Sequence, residues 1–158
     1  MNFTFNIAKG RAVELYNRVK SNDPANAALV VVILAAAGIE ADAVLMDKDT
    51  LTDVLAGATN EATNAGYARK VLTDVELAAF PAPDDVNDKF AIDIPDQEWL
   101  AVAAVGGAWA KALICYDPDT AAGTDANIIP LTAHDFPITP DGSDVMLRVD
   151  PVGFFTAT

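Results

Sequence analysis

Trp109-Ala110-Lys111-Ala112-Leu113-Ile114-Cys115-Tyr116 is the stretch whose reading decides the fold. Trp109, Leu113 and Cys115 fall on one side of an extended chain, with Lys111 between them. Ala110, Ala112, Ile114 and Tyr116 fall on the other. Successive side chains of a strand point to opposite faces, and here both faces are largely apolar. That is the pattern of a strand in the middle of a sheet. Turn signals bound it, Gly106-Gly107 before and Asp117-Pro118-Asp119 after.

Working outward, the same grammar repeats from residue 66 onward. Tyr67–Leu72, Glu76–Phe80, Phe90–Ile94, Glu98–Ala103, Asn127–Leu131, Phe136–Thr139 and Val145–Asp150 carry strand-type residues. Between them lie turn sequences such as Pro81-Ala82-Pro83-Asp84-Asp85, Pro140-Asp141-Gly142 and Pro151-Val152-Gly153. Short strands with turns at this spacing predict an antiparallel β-sandwich or small barrel.

Toward the N-terminus the pattern is mixed. Ala8, Ala12, Leu15 and Val19 recur at helical spacing, which predicts a helix over 7–20, stopped by Asn22-Asp23-Pro24. The run Ala27 to Ile39 contains Val30-Val31-Val32-Ile33 and is read as a strand over 27–35, buried on both faces. At 13 residues the run is too short to cross a bilayer. Thr50 followed by Asp53 is a capping pair, and with Gly57 beyond it predicts a short helix over 51–56. The expected fold class is therefore α+β, mainly β, with an N-terminal helix and one short additional helix. It is expected to form a single domain over 1–158, with a mixed part at 1–60 and a β-rich part at 61–158.

Charge restricts the function. The 158 residues carry a formal net charge of -13 with 52% apolar residues, too hydrophobic for disorder. Lys9, Arg11, Arg18 and Lys20 oppose Glu14 alone in the first twenty residues, leaving -16 on the remainder. So acidic a body is repelled by phosphate backbones, and no direct nucleic-acid partner is expected. The basic head on an acidic body is suited to orienting subunits as they meet. No leader-like layout opens the sequence and no membrane association is expected, so the chain reads as soluble and made in the cytoplasm.

The inventory for catalysis is thin: one cysteine, one histidine, and two serines at Ser21 and Ser143. Cys115 lies in an apolar strand, where an inert buried thiol is expected. His134, beside Asp135, reads as a hydrogen-bonded turn residue. Ser143 belongs to a turn sequence. Gly106-Gly107 precedes a strand, not the helix a phosphate loop requires. Asp117, Asp119 and Asp125 form the best candidate for a cation loop, but their spacing matches no EF-hand. No metal, cofactor or catalytic residue is expected. Trp99 and Trp109, with apolar neighbours, read as core; the alternative class, a carbohydrate- or receptor-binding β-sandwich module, would instead need them exposed in a groove.

The segment Asn60-Glu61-Ala62-Thr63-Asn64-Ala65-Gly66-Tyr67-Ala68-Arg69-Lys70-Val71-Leu72 carries an E-x-T-x-x-G-Y-x-R-K-x-L pattern. It follows an apolar strand and a short acidic helix. A tryptophan strand (Gln97-Glu98-Trp99) and an alanine-rich strand ending in Tyr116-Asp117 come next. Pro130 to Phe136, Thr139-Pro140-Asp141-Gly142 and Gly153-Phe154-Phe155 complete the set. As a set, these pieces over about residues 10–155 resemble small structural virion proteins of tailed bacteriophages. The resemblance implies a non-enzymatic particle component. Its first implied position is the outer capsid surface, as a head decoration or cement protein bound to the major capsid protein, to copies of itself, or to both. A neck, tail or fibre-attachment subunit is the alternative.

In that motif Gly66 lets the backbone turn sharply into the following strand. Arg69 and Lys70 point to opposite faces, so that one can pair with an internal acid such as Glu61 while the other remains for a neighbour. Alternatively, Glu61, Tyr67 and Arg69 fasten the helical half onto the sheet. The expected partner-binding residues are Phe3, Phe5, Lys9, Arg11, Arg18, Arg69, Lys70, Phe154 and Phe155; the terminal aromatics either anchor an interface or complete the subunit's own core.

Overall fold

Eight consecutive buried residues, Ala28–Ala35, form β2 at the centre of the molecule. A computed structural model describes residues 1–80 and 82–157. The β-branched run favours an extended chain, and it is flanked by β6 (Trp109–Asp117) and β3 (Lys70–Leu72), both antiparallel to it. Next to β6 lies β7 (Ile129–Ile138), and β1 (Phe3–Thr4) closes that edge, giving the order β1-β7-β6-β2-β3. The strand at Trp109–Asp117 is central, as its two apolar faces predict. The sheet stays open. Two ribbons accompany it: β4 (Phe90–Ile92) with β9 (Phe155–Ala157), and β5 (Gln97–Trp99) with β8 (Val145–Leu147).

The result is a mixed α+β fold, mainly antiparallel β, with no closed barrel. Most of the extended segments read from the sequence are shorter than expected. One pair is longer: Asn127–Leu131 and Phe136–Thr139 belong to the single strand β7, and His134 and Asp135 lie within it, not in a turn. Ladder partners explain this. His134 faces Ala112 and Asp135 faces Lys111 on the long strand β6. Pro130 is accommodated at a register shift between Ile114 and Cys115.

The helices also differ from expectation. Gly10, at φ +80°, divides the segment 7–20 into a 3-10 turn at Asn6–Ala8 and α1 at Ala12–Lys20. The expected apolar face survives the break, since Ala8, Ala12, Leu15 and Val19 are all buried. Among the described residues there are three short additional helices, not one: α2 (Asp42–Leu45), α3 (Leu51–Leu55) and α4 (Asp74–Leu77). At α3, Thr50 and Asp53 cap each other as the sequence predicts. At α4, Thr73 and Glu76 form a second capping box, which overrides the extended reading of Glu76–Phe80.

One core runs from Phe3 to Val145 and takes in α1, the sheet and both ribbons. Trp99 and Trp109 are each 1% exposed and meet edge to face at 5.5 Å, with Tyr67 5.6 Å from Trp109. Above these rings sits Asn64, itself buried. Its amide donates to the carbonyls of Ala103 and Gly107, and its oxygen accepts from Trp109 Nε1 at 2.8 Å. A loop over residues 100–107 is thereby tied to the aromatic cluster beneath it.

Candidate functional site

The motif that carries the resemblance folds into an ion-pair brace. Glu61 reaches β2 through a single bridge to Leu34. Two residues after Gly66 and Tyr67, Arg69 directs its guanidinium between two carboxylates. Nε and Nη2 donate to Glu61 at 2.9 and 2.7 Å, and Nη1 and Nη2 donate to Asp125 at 2.6 and 2.9 Å. Tyr67 Oη donates to Glu61 at 2.9 Å and accepts from the backbone N–H of Ile33 at 3.0 Å. Planar guanidinium suits this two-sided geometry because its five donors form a fixed fork. The hydrogen bonds that Arg69 donates to Asp125 and then to Glu61 raise its pKa, and Arg69 holds the Asp125 carboxyl below its ordinary value.

The brace has structural reach because of what Asp125 carries. Its carbonyl accepts from Thr52 N, and the Ile128 carbonyl accepts from Leu51 N, so α3 docks on the segment that Arg69 holds. Of the two alternatives for the motif, this is the one that fastens the helical part to the sheet. Lys70 goes elsewhere, with Nζ 5.4 Å from the centre of the Trp99 ring. Gly66 is required here. At φ +91°, an added Cβ would lie 2.8 Å from the Leu100 carbonyl oxygen.

Asp125 is thus separated in role from Asp117 and Asp119, with which the sequence groups it. Asp117 accepts from the Asp119 N–H, and Asp119 accepts from the N–H groups of Ala121 and Ala122, the pattern of consecutive Asx turns. Among the described residues, no group of three His, Cys, Asp or Glu side chains is arranged to hold a metal ion.

A second charged cluster escapes sequence reading. Lys111, a lone cation in an apolar strand, is buried and needs acids. It finds Asp42 at 2.9 Å and Asp135 at 2.5 Å, and the Met1 ammonium contacts the same two carboxylates at 2.9 and 2.7 Å. Burial alone would lower the Lys111 pKa; hydrogen bonds to Asp135 and Asp42 outweigh it and leave it raised. Both acids are correspondingly lowered, Asp42 first by the Met1 ammonium and Asp135 first by Lys111. The signal was present in the sequence, as an unpaired lysine at a core position.

Beside this cluster a cleft of about 450 Å³ opens over β6 and β7. Ala112 and Ile114 form its floor, and His134, Phe136, Arg148 and Phe154 its walls. His134 Nε2 lies 2.9 Å from Thr132 Oγ1, and the ring meets Phe154 edge-on at 6.4 Å. Desolvation lowers the His134 pKa below its ordinary value of 6.5. The hydroxyl beside it, that of Thr132, is itself only 2% exposed within β7. Cys115 is fully buried, faces Pro130 further along the ladder, and has its thiol pKa raised by burial. Ser143 Oγ donates to Asp141 within its own turn at 2.6 Å.

These shifts set an acid dependence. A group whose folded pKa is lowered stabilises the fold above its unfolded pKa, and the contribution is lost as pH falls through the folded value. His134 should therefore begin to weaken the fold below about pH 6.5, and Asp42, Asp125 and Asp135 below about pH 4. Urea midpoints measured from pH 8 to pH 3 should decline in two stages, and His134→Gln should flatten the upper one. An unchanged upper stage in that variant would sink the assignment.

The remaining sequence-predicted residues are distributed as follows. Phe5 is fully buried and Phe3 nearly so, their rings 5.1 Å apart in the subunit's own core. Phe154 and Phe155 are half-buried beside it. Lys9, Arg11 and Arg18 are exposed along the first helical segment. Lys9 donates to Asn6 Oδ1, and Arg18 pairs with Glu14 one turn before it. With Trp99 and Trp109 buried, neither offers a platform for a sugar ring. No protein-family model, curated protein or solved structure matches this chain.

Proposed function

We propose that this chain is a non-enzymatic structural protein of a tailed-phage virion, a decoration or cement protein that binds and stabilises the major capsid protein shell from outside. One observation carries the reading. The Glu61, Tyr67 and Arg69 side chains of the motif that resembles virion proteins are spent on an internal brace, not on a pocket. A motif used in this way serves a rigid subunit whose task is to present a surface. Other features fit. The single thiol is buried, both serines lie outside any nucleophile–base pair among the described residues, and the acidic surface suits the exterior of a shell better than packaged DNA.

The test is co-sedimentation of purified protein with capsid shells and, separately, with tail parts. Saturable binding to shells is expected, and shells carrying the protein should withstand heating better than bare ones. Binding to tails alone would move the protein to the neck or tail. Binding to neither would overturn the virion reading. Neutralising Lys9, Arg11 and Arg18 together should weaken shell binding with the monomer still folded by circular dichroism; unchanged binding would show that the basic head is only solvated surface.

A further inference from the structure

The cleft over β6 and β7 has an apolar interior and a rim whose free polar groups are mostly donors. Its volume of about 450 Å³ falls within the range of small-molecule sites, roughly 300–1,000 Å³. Ala112 and Ile114 close the bottom, and Leu147, Phe136 and Phe154 supply aliphatic and aromatic walls. An occupant must therefore carry an apolar body.

At the rim, some polar groups are already engaged and others are left over. Asp135 is engaged: its carboxylate accepts from the Lys111 and Met1 ammonium groups, and its N–H donates to Asn2 Oδ1. Asp150 gives one oxygen to the Val152 N–H. Arg148 is left over. In a chain with 23 acids against 10 lysines and arginines, its guanidinium has no hydrogen-bond or ion-pair partner among the described residues. Asp150, two residues on and lining the same cleft, does not pair with it. The side-chain amide nitrogen of Asn2 is also unpartnered. So is His134 Nδ1, since that ring meets Thr132 Oγ1 through Nε2.

A cleft with more donors than acceptors left over selects a ligand whose head accepts. A carboxylate matches the guanidinium fork with two parallel N–H···O bonds. A phosphate monoester would bring a second negative charge beside Asp135 and Asp150, where like charge repels it. The net charge of -13 repels every anion at long range. At physiological salt that field is screened beyond about 8 Å, and the groups within reach decide. We propose that this cleft binds a small monocarboxylate with an aromatic or branched aliphatic body, its carboxylate on Arg148 and its body against Phe136 and Phe154. The proposal rests on the cleft alone and stands or falls apart from the virion reading.

His134 is the chain's one histidine, so its ring protons give an unambiguous NMR signal inside the cleft. Titration with phenylacetate, at about 150 mM NaCl, should move those signals saturably with a Kd on the order of 1 mM, as suits a ligand of this size. Phenylacetamide has the same shape without the charge. It should bind more weakly by about tenfold or more, the worth of hydrogen bonds to a charged group. Arg148→Gln should weaken phenylacetate binding to the same extent. That side chain is exposed and unpartnered, so the thermal melt should stay unchanged. Arg148→Lys should fall between, keeping the charge and losing the fork.

Absence of a saturable shift up to about 20 mM phenylacetate overturns the proposal. Equal binding of acid and amide also overturns it, because the cleft would then be an apolar hollow without a head-group site. So does binding that Arg148→Gln leaves intact, or benzyl phosphate that binds more tightly than phenylacetate. Should the glutamine variant melt differently from wild type, the comparison of acid with amide on the wild-type protein decides alone.

Discussion

Arg69→Met is expected to destabilise the protein by about 2–4 kcal/mol, less than removal of one member of a fully buried pair because the side chains remain partly exposed. For a chain of this length that lowers the melting temperature by about 5–10 °C. The loss has two parts. Four hydrogen bonds to Glu61 and Asp125 disappear, and two carboxylates are left facing each other without a cation. The second part is testable by itself. Adding Asp125→Asn to Arg69→Met should recover some stability, because it removes one of the stranded charges. Arg69→Lys should fall between wild type and Arg69→Met, since one ammonium cannot bridge both acids with the guanidinium's geometry. Urea denaturation is the measurement, and a change below about 0.5 kcal/mol for Arg69→Met would show that the brace is ornamental.

Asn64→Ala is expected to cost a similar amount, about 2–4 kcal/mol, by a different route. The substitution removes three hydrogen bonds at once and strands Trp109 Nε1 and the carbonyls of Ala103 and Gly107. Trp109 is 1% exposed, so water reaches its N–H only if the loop lifts. The expected signature is loss of stability together with faster hydrogen exchange over residues 100–107, while exchange in β2 changes only as much as global stability does. Gly106 adds to the effect, because its position depends on contact with Asn64; an added Cβ there would come within 2.7 Å of the Asn64 side chain. Exchange that rises evenly across the protein would argue against a local tie between Asn64 and the loop.

The legible parts of the fold were those decided locally. The β-branched run at 27–35 became β2 within one residue, the two-sided apolar pattern at 109–116 became the central β6, and Thr50 with Asp53 capped α3. Errors arose where a local signal met a distant partner. His134-Asp135 looks like a turn by polarity, but Asp135 is polar because it serves the buried Lys111 on the neighbouring strand. At Glu76–Phe80 the capping signal of Thr73 competed with strand-type residues, and the cap prevailed. The candidate site shows the same division. Glu61 and Arg69 are eight residues apart and their pairing was readable, whereas Asp125 comes from a remote loop. Nothing in the polar run around Asn64 distinguishes it from an ordinary surface asparagine.

The strand order carries a consequence for how the chain is made. β2 emerges early, with eight consecutive residues destined for burial, yet its longest partner is β6, from the Ala28–Asp117 pair to the Ala35–Trp109 pair. At about 5–20 residues per second, a ribosome needs roughly 4–16 s to synthesise the intervening chain. During that interval the most apolar segment has only the three-residue β3 to cover one edge. Its other edge is open to any extended chain nearby. The long-range pairing that gives the finished sheet its buried centre thus makes the nascent protein sticky, and slower translation lengthens the interval in which it can aggregate.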